Sequence, residues 1–233
     1  MNKRSLGNLE TSRRAAILEA AKRLFAARGY HATSVRDIAA AVDLQGGSLY
    51  AHIASKEDLL WELVSRAAER FVGGAAAVEA EEPDPRRRLR RLVEAHVAVM
   101  TSDPANAVVF HHEWRALPPE RRAAIAAQRR TYEAVFRRAI ADGVRAGVFQ
   151  VPDPKFATLL VLSLGNWLYQ WYRPDGPLPP EAISARFIEL IERALGACCV
   201  PPVEPARATA STGNDAAPPR PAGAPPRPNG GAA

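Results

Sequence analysis

Two short amphipathic segments joined by a tight turn form the clearest pattern of apolar and polar positions in the chain, and they lie within residues 33–58. Their apolar positions follow helical spacing and are Val35, Ile38, Ala39, Leu49 and Ile53. Neither segment is long enough to be a stable helix alone, so each apolar face is expected to dock on a neighbour. The outer side of the second segment carries small or polar residues. This division predicts a helix-turn-helix, whose second helix enters the major groove of DNA.

Seven further helices are predicted from the same periodicity and from cap and break signals. Six of them cover residues 11–28, 86–100, 104–117, 119–146, 154–172 and 180–199, and the seventh begins at Lys56 and is weakened by Gly73 and Gly74. Thr11 or Ser12 is expected to cap the first of them. The composition is rich in Ala, Leu, Arg and Glu, and sustained runs of β-branched and aromatic residues are missing. The chain is therefore expected to be all-α, with nine helices.

The length of 233 residues permits one large helical domain or two smaller ones without disulfide bonds. We expect a basic arm at residues 1–9, a helix-turn-helix domain at residues 10–57 and a second helical domain at residues 58–199. Residues 200–233 are rich in Pro, Ala and Gly, and no large apolar side chain follows Val203. Such a segment buries too little apolar surface to offset its ordering entropy, so we predict a disordered tail.

Charge and cysteine content set weaker limits on function. The chain has 31 Lys and Arg against 25 Asp and Glu, which mildly indicates a polyanionic partner, although a GC-rich genome explains the arginine excess equally well. Cys198 and Cys199 are adjacent, so they are expected to be small residues at a helix end in a reducing compartment. No apolar run is long enough for a membrane helix or a signal segment, so we expect a cytoplasmic protein without membrane association.

Residues 20–60 closely resemble the N-terminal domain of TetR-family transcriptional repressors. The resemblance is carried by Ala20, Ala21, Leu24, Phe25, Gly29, Thr33, Ser34, Val35, Ile38, Ala39, Gly47, Ser48, Leu49, Tyr50, His52, Ser55, Lys56, Glu57, Leu59 and Leu60. The chain departs from the family at Asp43, where a turn glycine is usual, and at Ala51 and Ile53, which replace aromatic residues. Asp43 is therefore expected to adopt a left-handed or strained backbone, which Asp tolerates better than most residues.

The resemblance implies which residues contact DNA. The expected phosphate contacts come from Thr33, Ser34, Tyr50, His52 and Lys56. The expected base-reading face consists of Arg36, Gln45, Gly46, Gly47 and Ser48. Because two of these residues are glycines, direct readout is expected to be sparse, and specificity is expected to depend on dimer spacing and DNA shape. Lys3 and Arg4 of the arm are expected to reach the minor groove or the backbone.

The second domain is predicted to serve dimerisation and ligand binding. Its helix at residues 154–172 is apolar nearly all round, unlike a helix with one side in water. In the TetR family the last two helices pair with their copies and the preceding helices enclose a cavity. The resemblance therefore implies a homodimer with a small-molecule effector, and a dimer suits a palindromic DNA operator.

Residues 110–150 and 165–180 are similar to the acyl-CoA-responsive branch of the family. This similarity implies an acyl site formed by Trp114, Asn166, Trp167, Gln170 and Trp171, and a CoA-phosphate contact from Arg115, Arg129 or Arg130. Two simpler interpretations stay open. Asn166 and Gln170 can form hydrogen bonds between subunits, and the arginine-rich runs at residues 86–91 and 129–130 can be solvated helix faces.

The sequence thus predicts a homodimeric repressor that is released from its operator by an acyl-CoA and controls lipid, aromatic or steroid catabolism. The alternative is a multidrug-type repressor of hydrophobic aromatic or cationic compounds. That alternative requires acidic residues in the cavity, and Glu94 and Glu113 are the nearest candidates. An enzyme, a cofactor and a metal are not expected, because the chain lacks a Gly-rich phosphate loop, a nucleophile elbow and a CxxC motif. His111, His112 and Glu113 are adjacent and point in different directions on a helix.

Overall fold

A computed structural model of the chain describes the backbone of residues 3–197 and the side chains of residues 12–197. Within these residues the chain is all-α, as predicted. The helices are α1 (Lys3–Arg28), α2 (Val35–Ala40), α3 (Gly46–Leu49), α4 (Lys56–Glu81), α5 (Pro85–Ser102), α6 (Pro104–His112), α7 (Pro119–Arg145), α8 (Pro154–Asn166), α9 (Leu168–Trp171) and α10 (Pro180–Ala194). A 3-10 turn at Glu113–Ala116 follows α6. The segments correspond to the nine predicted helices, because α8 and α9 are two parts of the predicted helix at residues 154–172.

Polar side chains and prolines explain where the helices begin. Side-chain oxygens that accept a hydrogen bond from a backbone N–H group of the first turn belong to Ser34, Ser55, Asp84, Asp103 and Asp153. Proline occupies the first turn of α5, α6, α7, α8 and α10. At that position its missing N–H group costs no helical hydrogen bond.

The first helix begins earlier than predicted. It starts at Lys3, so residues 3–9, which we expected to form an arm, are helical, and neither Thr11 nor Ser12 is a cap. Residues 3–10 contain no proline, and each residue added to an existing helix gains one backbone hydrogen bond. That gain outweighs the moderate preference of Thr and Ser for a cap position.

The last described helix ends earlier than predicted, at Ala194. Gly196 has a left-handed backbone with φ +64°, which glycine adopts without steric cost. Its N–H group donates to the carbonyl of Arg193 at 3.1 Å, and the N–H group of Ala197 donates to that of Glu192 at 2.9 Å. These two bonds form a Schellman motif, which ends a helix. Cys198, Cys199 and the predicted tail at residues 200–233 lie outside the described residues.

Helix α4 connects the two hydrophobic cores of the described chain. Its first half, with Leu60 and Leu63, packs into a core shared with α1, α2, α3 and α6. Its second half, with Ala75 and Val78, packs into a core shared with α5, α7, α8 and α10. The predicted domain boundary at residue 58 therefore lies in the first turn of a continuous helix. None of the described helices is both long and apolar enough to span a membrane.

Candidate DNA-binding surface and ligand cavity

Helices α2 and α3 form the predicted helix-turn-helix. Ser34 caps α2 through a reciprocal capping box with Asp37, in which each side chain accepts a bond from the backbone N–H group of the other. The apolar face is buried, with Ile38 and Leu49 both 0% exposed. The turn between the helices contains Asp43 at φ +55°, which confirms the expectation of a left-handed residue there. The short helices are thus held by their apolar faces and by one strained turn.

The opposite side of α3 is open to solvent. Gln45, Gly47, Ser48 and Tyr50 are all exposed, and Tyr50 keeps 58% of its surface in water. Arg36 of α2 is also exposed. It lies next to α3, since a Cβ atom built on Gly46 would be 3.5 Å from the Cγ atom of Arg36. The residues predicted to read bases therefore share one accessible surface. Their contacts with DNA stay a prediction.

Thr33 does not present its hydroxyl group to solvent. The expected contact between this side chain and a DNA phosphate is therefore wrong. The residue is 1% exposed, and its Oγ1 atom donates a hydrogen bond of 2.9 Å to the carbonyl of Gly29. Thr33 therefore stabilises the loop between α1 and α2. Ser34, which follows it, is exposed at the N-terminus of α2.

Lys56 also has a structural role that the sequence did not indicate. Its Nζ atom donates to the carbonyls of Tyr30 at 2.9 Å and Thr33 at 2.8 Å, and it lies 4.1 Å from the centre of the Tyr30 ring. Burial lowers the pKa of this ammonium group. An ammonium group has three donors, so a single N–H bond is left for a phosphate. Lys56 primarily braces the loop that precedes α2.

His52 differs from the exposed residues of α3. It is half-buried and lines a cleft between α1 and α4, beside Arg14 and Glu62. Its Nδ1 atom is buried, and no hydrogen-bond partner for it exists within residues 12–197. The contact between His52 and a DNA phosphate stays a prediction.

A cavity of about 170 Å³ lies in the bundle between α4, α5, α6, α7 and α8. Its wall is formed by Ala68, Phe71, Val72, His96, Phe110, Gln128, Arg129, Tyr132, Glu133, Leu159, Leu162, Ser163 and Asn166. Among the residues expected to bind a ligand, Asn166 lies on this wall, and so does Arg129, one of the three arginines expected to contact the CoA phosphates. The existence of a cavity agrees with the prediction, whereas its predicted lining is largely wrong.

Five of the other expected ligand residues lie away from the cavity wall. Trp167 and Trp171 are 59% and 40% exposed on the outside of the bundle. Gln170 is exposed, and its Nε2 atom lies 3.3 Å from Nε2 of His112. Trp114 and Arg115 belong to the 3-10 turn, where the Arg115 guanidinium lies 5.0 Å from the Trp114 ring. A helix that is apolar on every side does not reveal in its sequence which side faces inward.

An aromatic cluster that the sequence analysis did not assign to the site forms the inner wall. The ring of Phe71 lies 5.2 Å from Phe110, 5.3 Å from His96 and 5.4 Å from Tyr132, measured between ring centres. Nδ1 of His96 is 2.8 Å from the Tyr132 hydroxyl. Burial lowers the pKa of His96 to about 4 and raises the pKa of Tyr132. Both side chains are therefore neutral at pH 7 and share one hydrogen bond, whereas Nε2 of His96 is buried without a hydrogen-bond partner among the described residues.

Gly165 sets the position of His96. A Cβ atom at Gly165 would lie 2.7 Å from Cδ2 and Nε2 of the imidazole, which is closer than non-bonded contact allows. The absence of a side chain thus lets α8 approach the ring of α5. Helical spacing places His96 on the apolar stripe of α5, and that stripe was the available signal for its burial.

Arg129 is the cation of the cavity wall. Its guanidinium lies 4.8 Å from the Phe110 ring and 5.2 Å from the Trp114 ring. Burial, and secondarily the charge of Arg115, lowers its pKa. Its Nη1 atom is buried without a hydrogen-bond partner, as is Oε1 of the adjacent Gln128. No carboxylate forms an ion pair with Arg129 among the described side chains.

The arginine-rich run at the start of α5 does not line the cavity. Arg86 and Arg90 both bind the carboxylate of Glu192 on α10, and Glu192 is 1% exposed. Arg88 binds Asp142 of α7 at 2.8 Å. These arginines therefore stabilise the bundle through ion pairs, so the interpretation of this run as a plain solvated face is wrong for them.

The outer surface of α8, α9 and α10 carries large apolar side chains in water. Their exposed fractions range from 40% to 69%, and the residues are Phe156, Leu160, Trp167, Trp171 and Leu190. Leu159, which is 46% exposed, also belongs to the cavity wall. Single exposed apolar residues are ordinary, but several large ones on neighbouring helices are typical of an interaction surface. This group lies on the helices for which we predicted a dimer interface.

Helix α6 connects the cavity with the helix-turn-helix. Phe110 of α6 lines the cavity. At the N-terminus of α6, Asp103 accepts a hydrogen bond of 2.7 Å from Lys22 of α1. After its C-terminus, Oε2 of Glu113 accepts a 3.0 Å bond from the backbone N–H group of Tyr30. The first bond joins α6 to α1, and the second joins the turn after α6 to the loop that precedes α2.

Two family models match the chain. The model described as bacterial regulatory proteins of the tetR family matches residues 17–63. The model described as the tetracyclin repressor-like C-terminal domain matches residues 82–195. The first range covers most of the helix-turn-helix region, and the second covers the bundle that contains the cavity.

Known regulators are similar to the chain over most of their own length. The HTH-type transcriptional repressor KstR2 of Mycobacterium tuberculosis is 28% identical over 182 residues, which are 77% of this chain and 91% of that protein. A regulatory protein of the tetR family from Rhodococcus RHA1 is 35% identical with a TM-score of 0.73, covering 80% and 98% of the two chains. The crystal structure of AibR in complex with isovaleryl coenzyme A and operator DNA is 30% identical with a TM-score of 0.69, covering 76% and 97%.

Proposed function

Because the chain belongs to the TetR family of bacterial regulatory proteins, we propose that it is a homodimeric repressor that an acyl-CoA releases from a palindromic operator. Membership of this family makes the chain a DNA-binding transcriptional regulator. The observation that carries the proposal is the surface of α3. It exposes Gln45, Ser48 and Tyr50 next to Arg36, while its apolar face is buried. A recognition helix needs this division.

We assign the DNA contacts by exposure. Gln45, Ser48 and Arg36 read base edges, and the two glycines of α3 permit close approach to the groove. Ser34 and Tyr50 contact phosphates, which position the protein without reading sequence. Lys56 acts mainly through the loop that it braces.

The exposed apolar surface of α8, α9 and α10 supports the homodimer. A second copy that covers this surface removes large side chains such as Phe156 and Trp167 from water. A twofold dimer presents two recognition helices to half-sites one helical turn of DNA apart, so the operator is palindromic.

The cavity supports a hydrophobic effector. Its wall is aromatic and apolar, with a few polar atoms, as ligand sites usually are. The similarity to AibR, whose structure contains isovaleryl coenzyme A, supports an acyl-CoA and hence control of lipid, aromatic or steroid catabolism. The multidrug alternative has one observation in its favour, because Glu133 lies on the wall. Glu94 is exposed and Glu113 binds Tyr30, so neither of the acids expected for it contributes.

Helix α6 provides the route for release. A ligand that displaces Phe110 moves a helix that is bonded to Lys22 and to Tyr30. If the ligand prefers the displaced state, the spacing of the two recognition helices changes. DNA affinity and ligand affinity then oppose each other by linkage.

A gel-shift titration of the purified protein with DNA upstream of its own gene tests the proposal. We expect a shifted complex at moderate salt that competitor DNA of unrelated sequence does not remove, and that short- or long-chain acyl-CoA dissolves. The variant Arg137→Ala, which removes an exposed charge of α7, serves as a control and should behave as the wild type. Absence of a specific shift would overturn the repressor proposal. A shift that only cationic compounds such as rhodamine 6G dissolve would replace the acyl-CoA with the multidrug alternative.

A further inference from the structure

The cavity wall contains three buried polar atoms without a hydrogen-bond partner among the described residues: one donor and one acceptor on α7, and Nε2 of His96 on α5. The donor is Nη1 of Arg129, and the acceptor is Oε1 of Gln128. Both atoms are buried, and their residues are neighbours on α7. Leaving a buried polar atom unpaired is costly, and the cost is greater for a charged group. A ligand that brings an oxygen to Arg129 and an N–H group to Gln128 removes both costs.

The apolar space next to these atoms is small. The cavity has a volume of about 170 Å³, whereas an engineered cavity of roughly 150 Å³ binds benzene. The aromatic cluster around Phe71 forms its inner wall, and Phe110 belongs both to this cluster and to the surface under Arg129. One ring or about six carbon atoms therefore fit beside Arg129.

We propose that the effector is a short-chain or single-ring acyl thioester whose carbonyl oxygen accepts a hydrogen bond from Arg129. This inference rests on the proposed function and names the ligand class of the same cavity. The acyl group lies against Phe71, Phe110 and Leu162. The first amide N–H group beyond the sulfur of a pantetheine thioester donates to Gln128. A free carboxylic acid shares the oxygen chemistry but has no donor for Gln128.

Calorimetric titration of the full-length protein without DNA tests the assignment. The probes are hexanoyl-CoA and S-hexyl-CoA, a thioether that lacks only the carbonyl oxygen. We expect wild-type protein to bind hexanoyl-CoA about tenfold or more tightly than S-hexyl-CoA, because a hydrogen bond to a charged donor has roughly this value. In Arg129→Gln the preference should fall to about twofold or less. Arg137→Gln, on the exposed side of α7, should keep the wild-type preference.

The same experiment tests the size limit of the acyl group and the requirement for a thioester in place of a free acid. Cholyl-CoA, with four fused rings, should bind at least about tenfold more weakly than hexanoyl-CoA, and so should free hexanoate. Equal binding of cholyl-CoA would overturn the size limit, and equal binding of hexanoate would overturn the contact with Gln128. An unchanged preference in Arg129→Gln would overturn the role of Arg129. Because no DNA is present, these outcomes are separate from a failure of the protein to bind its operator.

Discussion

Lys56 and Ser48 lie close together in sequence and differ in what surrounds them. The ammonium group of Lys56 is occupied by the carbonyls of Tyr30 and Thr33, whereas the hydroxyl group of Ser48 is exposed on α3. The same motif therefore combines a residue that positions the recognition helix with a residue that is free to contact DNA. A substitution at each position should affect DNA binding in a different way.

Lys56→Ala should weaken binding to operator and to unrelated DNA alike, by about tenfold, because the loop before α2 loses its brace. The slope of log affinity against log salt should change by much less than one, since the lost charge is largely engaged within the protein. Ser48→Ala or Gln45→Ala should instead weaken operator binding by about 1–3 kcal/mol and leave unrelated DNA unaffected.

Fluorescence anisotropy with operator and scrambled duplexes at several salt concentrations distinguishes these effects, with Arg137→Ala as the control. If the salt slope falls by about one in Lys56→Ala, the side chain binds a phosphate directly and the brace is not its main role.

Between elements, the contact of α5 with α10 depends on one buried carboxylate. Burial raises the pKa of Glu192, but hydrogen bonds from Arg90 and Arg86, and their charges, outweigh it and lower the pKa to about 2. The folded-state pKa is thus below the ordinary value of 4.5. The ion pairs therefore stabilise the fold fully above about pH 4.5, and this stabilisation is lost as the pH falls toward 2.

Glu192→Gln should lower the free energy of unfolding at pH 7 by on the order of 2 kcal/mol, because two arginines lose their partner. The difference from wild type should shrink as the pH falls from 4.5 toward 2.5. Glu189→Gln breaks a pair with Arg193 on the same helix, and this pair is more exposed than that of Glu192. The substitution should cost less than about 0.5 kcal/mol. Urea denaturation across this pH range measures both variants, and equal losses at pH 7 would contradict a special role of Glu192.

At the scale of the whole molecule, the exposed apolar surface of α8, α9 and α10 bears on whether the protein acts on DNA as a monomer or as a dimer. A single protomer leaves Phe156 and Trp167 mostly in water, and its one recognition helix is too short to read a long site. Two linked half-sites raise the overall DNA affinity by orders of magnitude without any new contact.

Leu160→Asp should convert the protein into monomers and weaken operator binding by about a hundredfold or more, because the second recognition helix is lost. The fold should persist, since Leu160 is 46% exposed in the protomer. Light scattering coupled to size-exclusion chromatography measures the mass, and Ala123→Asp, at an exposed position of α7, is the matched control. A dimeric Leu160→Asp protein would place the subunit interface elsewhere.

The amino-acid sequence determined the features that depend on neighbouring residues. Caps such as Ser34 and Asp103, the left-handed turn at Asp43 and the apolar faces of α2 and α3 act within one or two helical turns. Their physical causes are local hydrogen bonds and local steric limits, so the pattern of residues is sufficient. The predicted first residue of α1 and the predicted last residue of α10 were wrong, because the competing local signals at these positions differ by only small energies.

Tertiary structure alone decided which side chains meet across the bundle. Glu192 binds Arg86 across 106 positions of the chain, and the run of arginines does not indicate this partner. Helix α8 is apolar on nearly every side, so only packing showed that Asn166 faces the cavity while Trp167 and Trp171 face outward. The same packing placed the guanidinium of Arg129 within 5.2 Å of the centres of two rings. Such contacts depend on how helices distant in sequence pack together, and periodicity along one helix carries no information about its partner.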